Sequence, residues 1–376
     1  MNIYKPYKNL SDKLKFTLAI KNGFFILMVV FTTGNVWSQE SGISWREALD
    51  QEKSWYESEE AQRIADNVLL YQNNNGGWLK NIDMSDELNE TSRKKLISQK
   101  SLNSGTTIDN GATHTQLKYL AKVYGATGKQ KYKEAFNKGV DFLLEAQYDN
   151  GGWPQFYPIK KGYAEHITFN DDSMMGVMKI LRDISEQKEP YQFVDKARCE
   201  RSKIAIDKGL EIILKTQVET DGQLTVWGAQ HDKDNLKPAK ARAYELASLS
   251  GKESVMIVEY LMELDPPTEE VKKAVRSAAK WFEGTKMMDI EVIWEKDNSL
   301  PGGEDRLVKE KKGAGPLWAR FYQIGTNKPI YVGRDGKLKE THNEIELERR
   351  VNYSYLGNYA EDLLKNKYPE WEKKHQ

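Results

Sequence analysis

Two stretches of this chain concentrate groups that can hold a cation or move a proton. Thr106-Thr107-Ile108-Asp109-Asn110-Gly111-Ala112-Thr113 and His166-Ile167-Thr168-Phe169-Asn170-Asp171-Asp172-Ser173 each set carboxylates where a helix is about to open, with Asp109 and Asp171 62 residues apart. Asp and Asn are favoured helix caps and acids in a first turn offset the helix dipole, so either stretch alone reads as capping. Their equivalent places in a repeat give the second reading: acids from neighbouring hairpins converge on one hard, oxygen-seeking cation, for which calcium is suited. Further along, Leu224-Thr-Val-Trp227 and Ala229-Gln-His-Asp232 offer an aromatic plane, an amide and an imidazole. Arg242 stands three residues before Glu245, and Trp318-Ala-Arg-Phe-Tyr322 and Gly333-Arg-Asp-Gly336 add two more guanidiniums. A buried Trp, a satisfied His and a solvated ion pair are the plain alternatives for these groups. Together, aromatics for pyranose faces, amides for hydroxyls and Arg forks for carboxylates are the inventory of a cleft for acidic sugar. Two chemistries remain open on such a substrate: hydrolysis by a carboxylate pair, or β-elimination on a uronate with a base near C5 and cations on the adjacent carboxylate.

The elements that must position these groups repeat. Leu69-Leu-Tyr-Gln-Asn-Asn-Asn-Gly-Gly-Trp78 recurs as Leu143-Leu-Glu-Ala-Gln-Tyr-Asp-Asn-Gly-Gly-Trp153, and a weaker copy runs from Ile213 through Gln217 and Gly222 to Trp227. Between the copies, apolar residues fall at helical spacing: Leu117, Leu120, Ala121 and Tyr124; Tyr132, Ala135, Phe136, Phe142 and Leu143; Met174, Val177, Met178 and Leu181; Ile204, Gly209, Ile212 and Ile213. Stacked αα-hairpins bury such stripes only against each other, which predicts an all-α fold, an (α/α)3 toroid with a straight solenoid as competitor. Short strands are expected near 289–294 and 329–332, and a charged terminal helix with Tyr368 and Trp371 against the body.

Composition narrows the partners. Fifty-six basic residues balance 56 acidic ones, so no global basic field points to nucleic acid, and the lone Cys199 permits neither a disulfide framework nor a thiolate zinc site. Lys5, Lys8, Lys13, Lys15 and Lys21 precede the apolar run Gly23–Phe31, the layout of a secretory signal over residues 1–38 and too short to span a membrane. Cleavage near Ser38 would leave 51 basic and 55 acidic residues, a net charge of −4. The expectation is an exported protein, periplasmic or released, with residues 39–376 as one catalytic domain, monomeric and free of the membrane once the signal is removed.

Several of these strings, in order, carry a resemblance. Asn75-Gly-Gly-Trp78, Thr107-Ile-Asp-Asn-Gly-Ala-Thr113, Asn150-Gly-Gly-Trp-Pro-Gln-Phe-Tyr157, Ile167-Thr-Phe-Asn-Asp-Asp172, Ala229-Gln-His-Asp232, Ala241-Arg-Ala-Tyr-Glu-Leu246, Trp318-Ala-Arg-Phe-Tyr322 and Arg334-Asp-Gly336 resemble the family 10 pectate lyases from about residue 45 to 372. The resemblance implies the toroid and a calcium-assisted anti β-elimination on α-1,4-polygalacturonate, giving 4,5-unsaturated oligogalacturonides. It places Arg242 as the base, Asp109, Asp171 and Asp172 on calcium, and Arg334 as clamp for a substrate carboxylate. Asp109, Asn110, Thr106, Lys80, Trp153 and His231 complete the expected substrate wall. An arginine base is unusual, since its pKa exceeds ~12; crowding by other cations would favour the neutral form and an alkaline optimum. Gly228 and Ala247 depart from the Cys and Pro expected there, which bears on loop rigidity and not on reacting groups. A hydrolase using Asp109 and Asp171, and a silent glycan-binding protein, are the rivals.

Overall fold

The structure, a computed structural model, describes residues 42–375; the expected signal segment lies outside the described residues. The described residues form one compact unit. Its helices are α1 (Trp45–Ala48), α2 (Glu59–Tyr71), α3 (Glu90–Gln99), α4 (His114–Thr127), α5 (Gln130–Glu145), α6 (Ser173–Ser185), α7 (Lys196–Thr216), α8 (Glu253–Met262), α9 (Glu269–Gly284), α10 (Leu347–Asn352) and α11 (Tyr368–Lys374). Their starts follow from local chemistry: Ser58, Asp195 and Thr268 each accept a backbone N–H from the first turn of α2, α7 and α9. Gly128, left-handed at φ 65°, ends α4 and lets α5 turn back.

Three αα-hairpins result, α4/α5, α6/α7 and α8/α9, with α2 against the first. The first helices of the hairpins neighbour one another in one row and the second helices in another. The inner row is the more deeply buried: α6 buries Met174, Met175, Val177, Met178, Ile180, Leu181 and Ile184 and leaves Lys179, Arg182 and Asp183 toward its open face. The outer helices are amphipathic, α9 burying only one face with Val271, Ala274, Val275, Ala278 and Phe282. This is the (α/α)3 toroid that the repeat predicts. One stripe is corrected at a single position: Ile204 is exposed, while Gly209, Ile212 and Ile213 are buried as expected, together with Cys199 and Ala205.

The repeated turns lock each hairpin to the next. Gln72 donates to Gly76 O (3.0 Å) and Ala135 O (2.8 Å), Gln147 to Gly151 O (3.0 Å) and Ala205 O (2.8 Å), and Gln217 to Thr225 O (2.9 Å) and Ala274 O (3.0 Å). Each amide therefore spans its own turn and the outer helix of the following hairpin. Gly76 and Gly151 have φ of 93° and 96°, and a Cβ on either would lie 2.2 Å from the Lys138 or Lys208 carbonyl oxygen of that helix. Trp78, Trp153 and Trp227 are fully buried, with indole N–H groups on Val68 O, Leu143 O and Ile213 O at 2.7–2.8 Å.

Short antiparallel pairs tie the loops at the hairpin ends: Ile167–Thr168 with Gln230–His231, Leu249–Ser250 with Phe321–Tyr322, and Trp318–Ala319 with Leu356–Gly357. They bring segments far apart in sequence to one place, and the site is built from residues just beyond these pairs. The expected strands are present, Ile290–Lys296 pairing with Glu304–Glu310 and Tyr331–Val332 with Leu338–Lys339. The terminal helix α11 continues a wider turn over Leu363–Lys367, with Trp371 buried.

Candidate active site

The two acidic turns lie against each other in front of α4 and α6. Asn110 (φ 51°), Asp171 (φ 48°) and Asp172 (φ 62°) are left-handed, a conformation that short Asn and Asp side chains tolerate. This geometry removes the capping reading, because neither α4 nor α6 takes a side-chain cap from its preceding residue. The carboxylates are spent elsewhere. Asp109, 2% exposed, accepts from Lys80 and from Gln155 Nε2 (2.7 Å) on Oδ2, while Oδ1 has no partner among the described residues. Asp172 Oδ1 is likewise buried and without a partner among the described residues, and burial pushes its carboxyl up to about 6.

Asp171 is the hub of an ionic cluster. Oδ1 accepts from Lys252 Nζ (2.9 Å) and Arg320 Nη2 (3.1 Å), and Oδ2 from Asn170 Nδ2 (2.7 Å). Burial alone would raise the Asp171 carboxyl, but Arg320 and Lys252 outweigh it and hold it well below the usual carboxylate range. Arg320 is itself buried and also reaches Glu253 Oε1 (2.6 Å) and Asn170 Oδ1 (2.9 Å). Burial works against its charge, yet Glu253 foremost keeps it firmly protonated.

The cluster continues through Tyr353, whose ring lies 4.7 Å from the Arg320 guanidinium, 5.2 Å from that of Arg349 and 5.8 Å from that of Arg242. Its hydroxyl donates to Glu245 Oε1 at 2.7 Å. Arg242 grips the same carboxylate in a fork, Nε to Oε2 at 2.7 Å and Nη2 to Oε1. Burial lowers the Arg242 pKa but the Glu245 carboxylate more than reverses this, so the guanidinium is held as a cation. Its side chain remains 42% exposed, open to a ligand.

A family model described as pectic acid lyase matches residues 72–364. The chain belongs to that family. Among solved structures, the family 10 polysaccharide lyase from Cellvibrio cellulosa is 37% identical, with a TM-score of 0.71 over 84% of this chain and 94% of that one. A mutant of that enzyme in complex with trigalacturonic acid matches equally well and is covered over 95% of its length. A search of curated proteins finds no match. The protein is thus a pectate lyase of polysaccharide lyase family 10.

In this pectate lyase the expected site residues fall in several places, Arg242 in its fork on Glu245. Asp109, Asn110, Asp171, Asp172 and Lys80 are gathered around the paired turns, Asn110 donating to Asn81 Oδ1 at 3.0 Å. Trp153, His231 and Thr106 are corrected: all three are fully buried. Trp153 packs on α7, where a Cβ at Gly209 would come 3.3 Å from its ring. His231 Nε2 accepts from Gly228 N (2.9 Å) and Nδ1 faces Leu236 O (2.8 Å), while the Thr106 hydroxyl donates to Tyr157 O. No face of these side chains is left for a sugar. Arg334 lies exposed on Glu348, with bonds of 2.7 and 2.9 Å. Sequence reasoning missed Lys252, Glu253 and Tyr353, and it gave Arg320, inside the Trp318–Tyr322 string, no role of its own.

Calcium meets a mixed fit. Among the described residues no three of His, Cys, Asp and Glu gather as a metal site, and Asp171 has both oxygens engaged by Arg320, Lys252 and Asn170. Asp109 and Asp172 each keep one buried, unpartnered oxygen on adjoining turns. Two such oxygens suit a cation whose remaining ligands come from water and a substrate carboxylate.

Proposed function

We propose that this lyase cleaves α-1,4-polygalacturonate by calcium-assisted anti β-elimination with Arg242 as the base. The observation that carries the substrate is the kinship with a lyase captured on trigalacturonic acid, together with the cations Lys80, Lys252, Arg242 and Arg320 along one cluster. In elimination the C5 proton passes to the base, its electron pair forms the C4–C5 double bond, and the C4–O bond breaks, the leaving oxygen taking a proton from solvent. Charge grows on the C5 carboxylate in the transition state, and fixed cations stabilise it there more than in the ground state.

In this reading Asp109 and Asp172 would hold calcium, which supplies further neutralisation of the substrate carboxylate. Asp171 acts by orienting Lys252 and Arg320, and Arg334 clamps a more distant carboxylate once released from Glu348. Arg242 becomes a base when Glu245 is relinquished to Tyr353, whose hydroxyl already shares that carboxylate. Loss of the counter-charge among neighbouring cations lowers the guanidinium pKa, and alkaline pH supplies the neutral form. The chain is proposed to be exported, its substrate being an extracellular polymer. Ultraviolet absorbance of the conjugated product during incubation with polygalacturonate tests the reaction. A calcium-dependent rise abolished by chelator is expected; reducing ends without absorbance would mean hydrolysis and overturn it.

A further inference from the structure

Beside the Asp109 turn stands a cationic and aromatic pair that the reacting centre does not use. Phe156 is fixed there by backbone: Thr107 and Phe156 form an antiparallel bridge, Tyr157 N donates to Thr106 O (3.2 Å) and Ile108 N to Gln155 O (3.3 Å). Lys80, joined to Asp109, has its Nζ 5.8 Å from the Phe156 ring centroid. Lys160 Nζ is 4.0 Å from the same centroid. A Cβ at Gly105 would come 3.9 Å from both Lys160 Nζ and the Leu79 side chain, so these groups border one surface, and Leu79 is 39% exposed. Among the described residues Lys160 has no carboxylate partner; the ring alone holds it.

An exposed lysine ordinarily spends its freedom in solvent. One resting on an aromatic face is held there by cation–π attraction and has less side-chain entropy to lose when it meets an anion. The surface around it joins an unpaired ammonium to an aromatic ring and an aliphatic side chain, the complement of a uronate with its carboxylate and its C–H face. Lys80 links this surface to Asp109, so a polymer seated at the reacting centre can run onto it.

We propose that Lys160 and Phe156 form an additional saccharide subsite, in which the Lys160 ammonium holds the carboxylate of a galacturonate further along the chain than the sugar at Asp109. This rests on the polygalacturonate reading above. The test is KM against chain length for a ladder of oligogalacturonates and for polygalacturonate, with Lys160→Gln, Lys160→Arg and, as a control on the neighbouring exposed lysine, Lys161→Gln. Lys160→Gln is expected to raise KM for the polymer about 2- to 5-fold, the range of an exposed ion pair, while the shortest cleaved oligomers keep the wild-type KM. Lys160→Arg restores the polymer value, and Lys161→Gln follows the wild type at every length. KM for Lys160→Gln equal to wild type at all lengths, or raised equally at all lengths, would overturn the subsite. Should the wild type release no unsaturated product from any galacturonan, the substrate reading fails and the subsite with it. Turnover by the wild type therefore tells the two failures apart.

Discussion

A guanidinium asked to take a proton sits here in the fork that most favours its charge, and the Arg242–Glu245 pair is where the chemistry is most exposed to test. Glu245→Gln removes the carboxylate that raises the Arg242 pKa, so the neutral fraction at any given pH increases. The acid limb of the pH profile of kcat/KM is expected to move to lower pH, with a smaller maximum because the fork also positions the side chain. An unmoved limb would remove Arg242 as the titrating base. Arg242→Ala is expected to abolish elimination while binding persists, as measured by calorimetric titration with trigalacturonate. Arg320 and Lys252 separate differently. Arg320→Ala strands two carboxylates in a buried cluster and should cost about 3–5 kcal/mol, seen in denaturant unfolding, whereas Lys252→Ala, partly exposed, should lose activity with a near-normal melting temperature. Asp109, Arg242 and the Asp171–Asp172 turn were legible in sequence because each stands in a distinctive string. Lys252 and Arg320 lie 81 and 149 residues from the Asp171 they serve, and Tyr353 lies 108 from Glu245. No local spacing records such pairings; only the strand pairs that bring 250 to 321 and 319 to 356 create them.

At the level of elements, the Gly-Gly-Trp turns are clasps between hairpins. The sequence repeat showed where they fall, and its Gln, Gly and Trp recur because each must meet the next outer helix at one depth. What the repeat did not show is which way the tryptophans face. A buried indole satisfying a helix-end carbonyl and an exposed indole stacking on sugar share the same letters, and only the fit of Trp153 against Gly209 decides between them. Trp153→Ala should therefore destabilise by about 3–5 kcal/mol with KM unchanged for surviving folded enzyme. A normal melting temperature with raised KM would contradict the packing assignment. Ile204 misled for a related reason: helical spacing admits it to the α7 stripe, but the stripe that meets α6 passes through Ala205 and Gly209.

For the whole molecule, three buried imidazoles set the response to acid. Burial lowers His114 to about 3, and His231 and His342 to about 4, against ~6.5 for an unfolded histidine. Below pH ~6.5 the unfolded chain takes up protons first, so stability falls as pH drops, by up to ~1.4 kcal/mol per unit for each histidine until its folded value is reached. The depressed carboxyls of Asp171 and Glu245 lose their contribution lower still, below the ordinary carboxylate range. A melting temperature level above pH 7 and falling between pH 6.5 and 5 is expected; a flat profile there would contradict the buried-neutral assignment. The three histidines thus make their full contribution on the alkaline side, where an arginine base would have to work, while ionising the buried Asp172 carboxyl above about 6 works the other way. The most direct measurement of the central claim is the mass of the products released from polygalacturonate. Elimination leaves each new non-reducing end one water lighter than hydrolysis does, so unsaturated oligogalacturonides are expected. Fully hydrated oligomers alone would contradict the elimination outright.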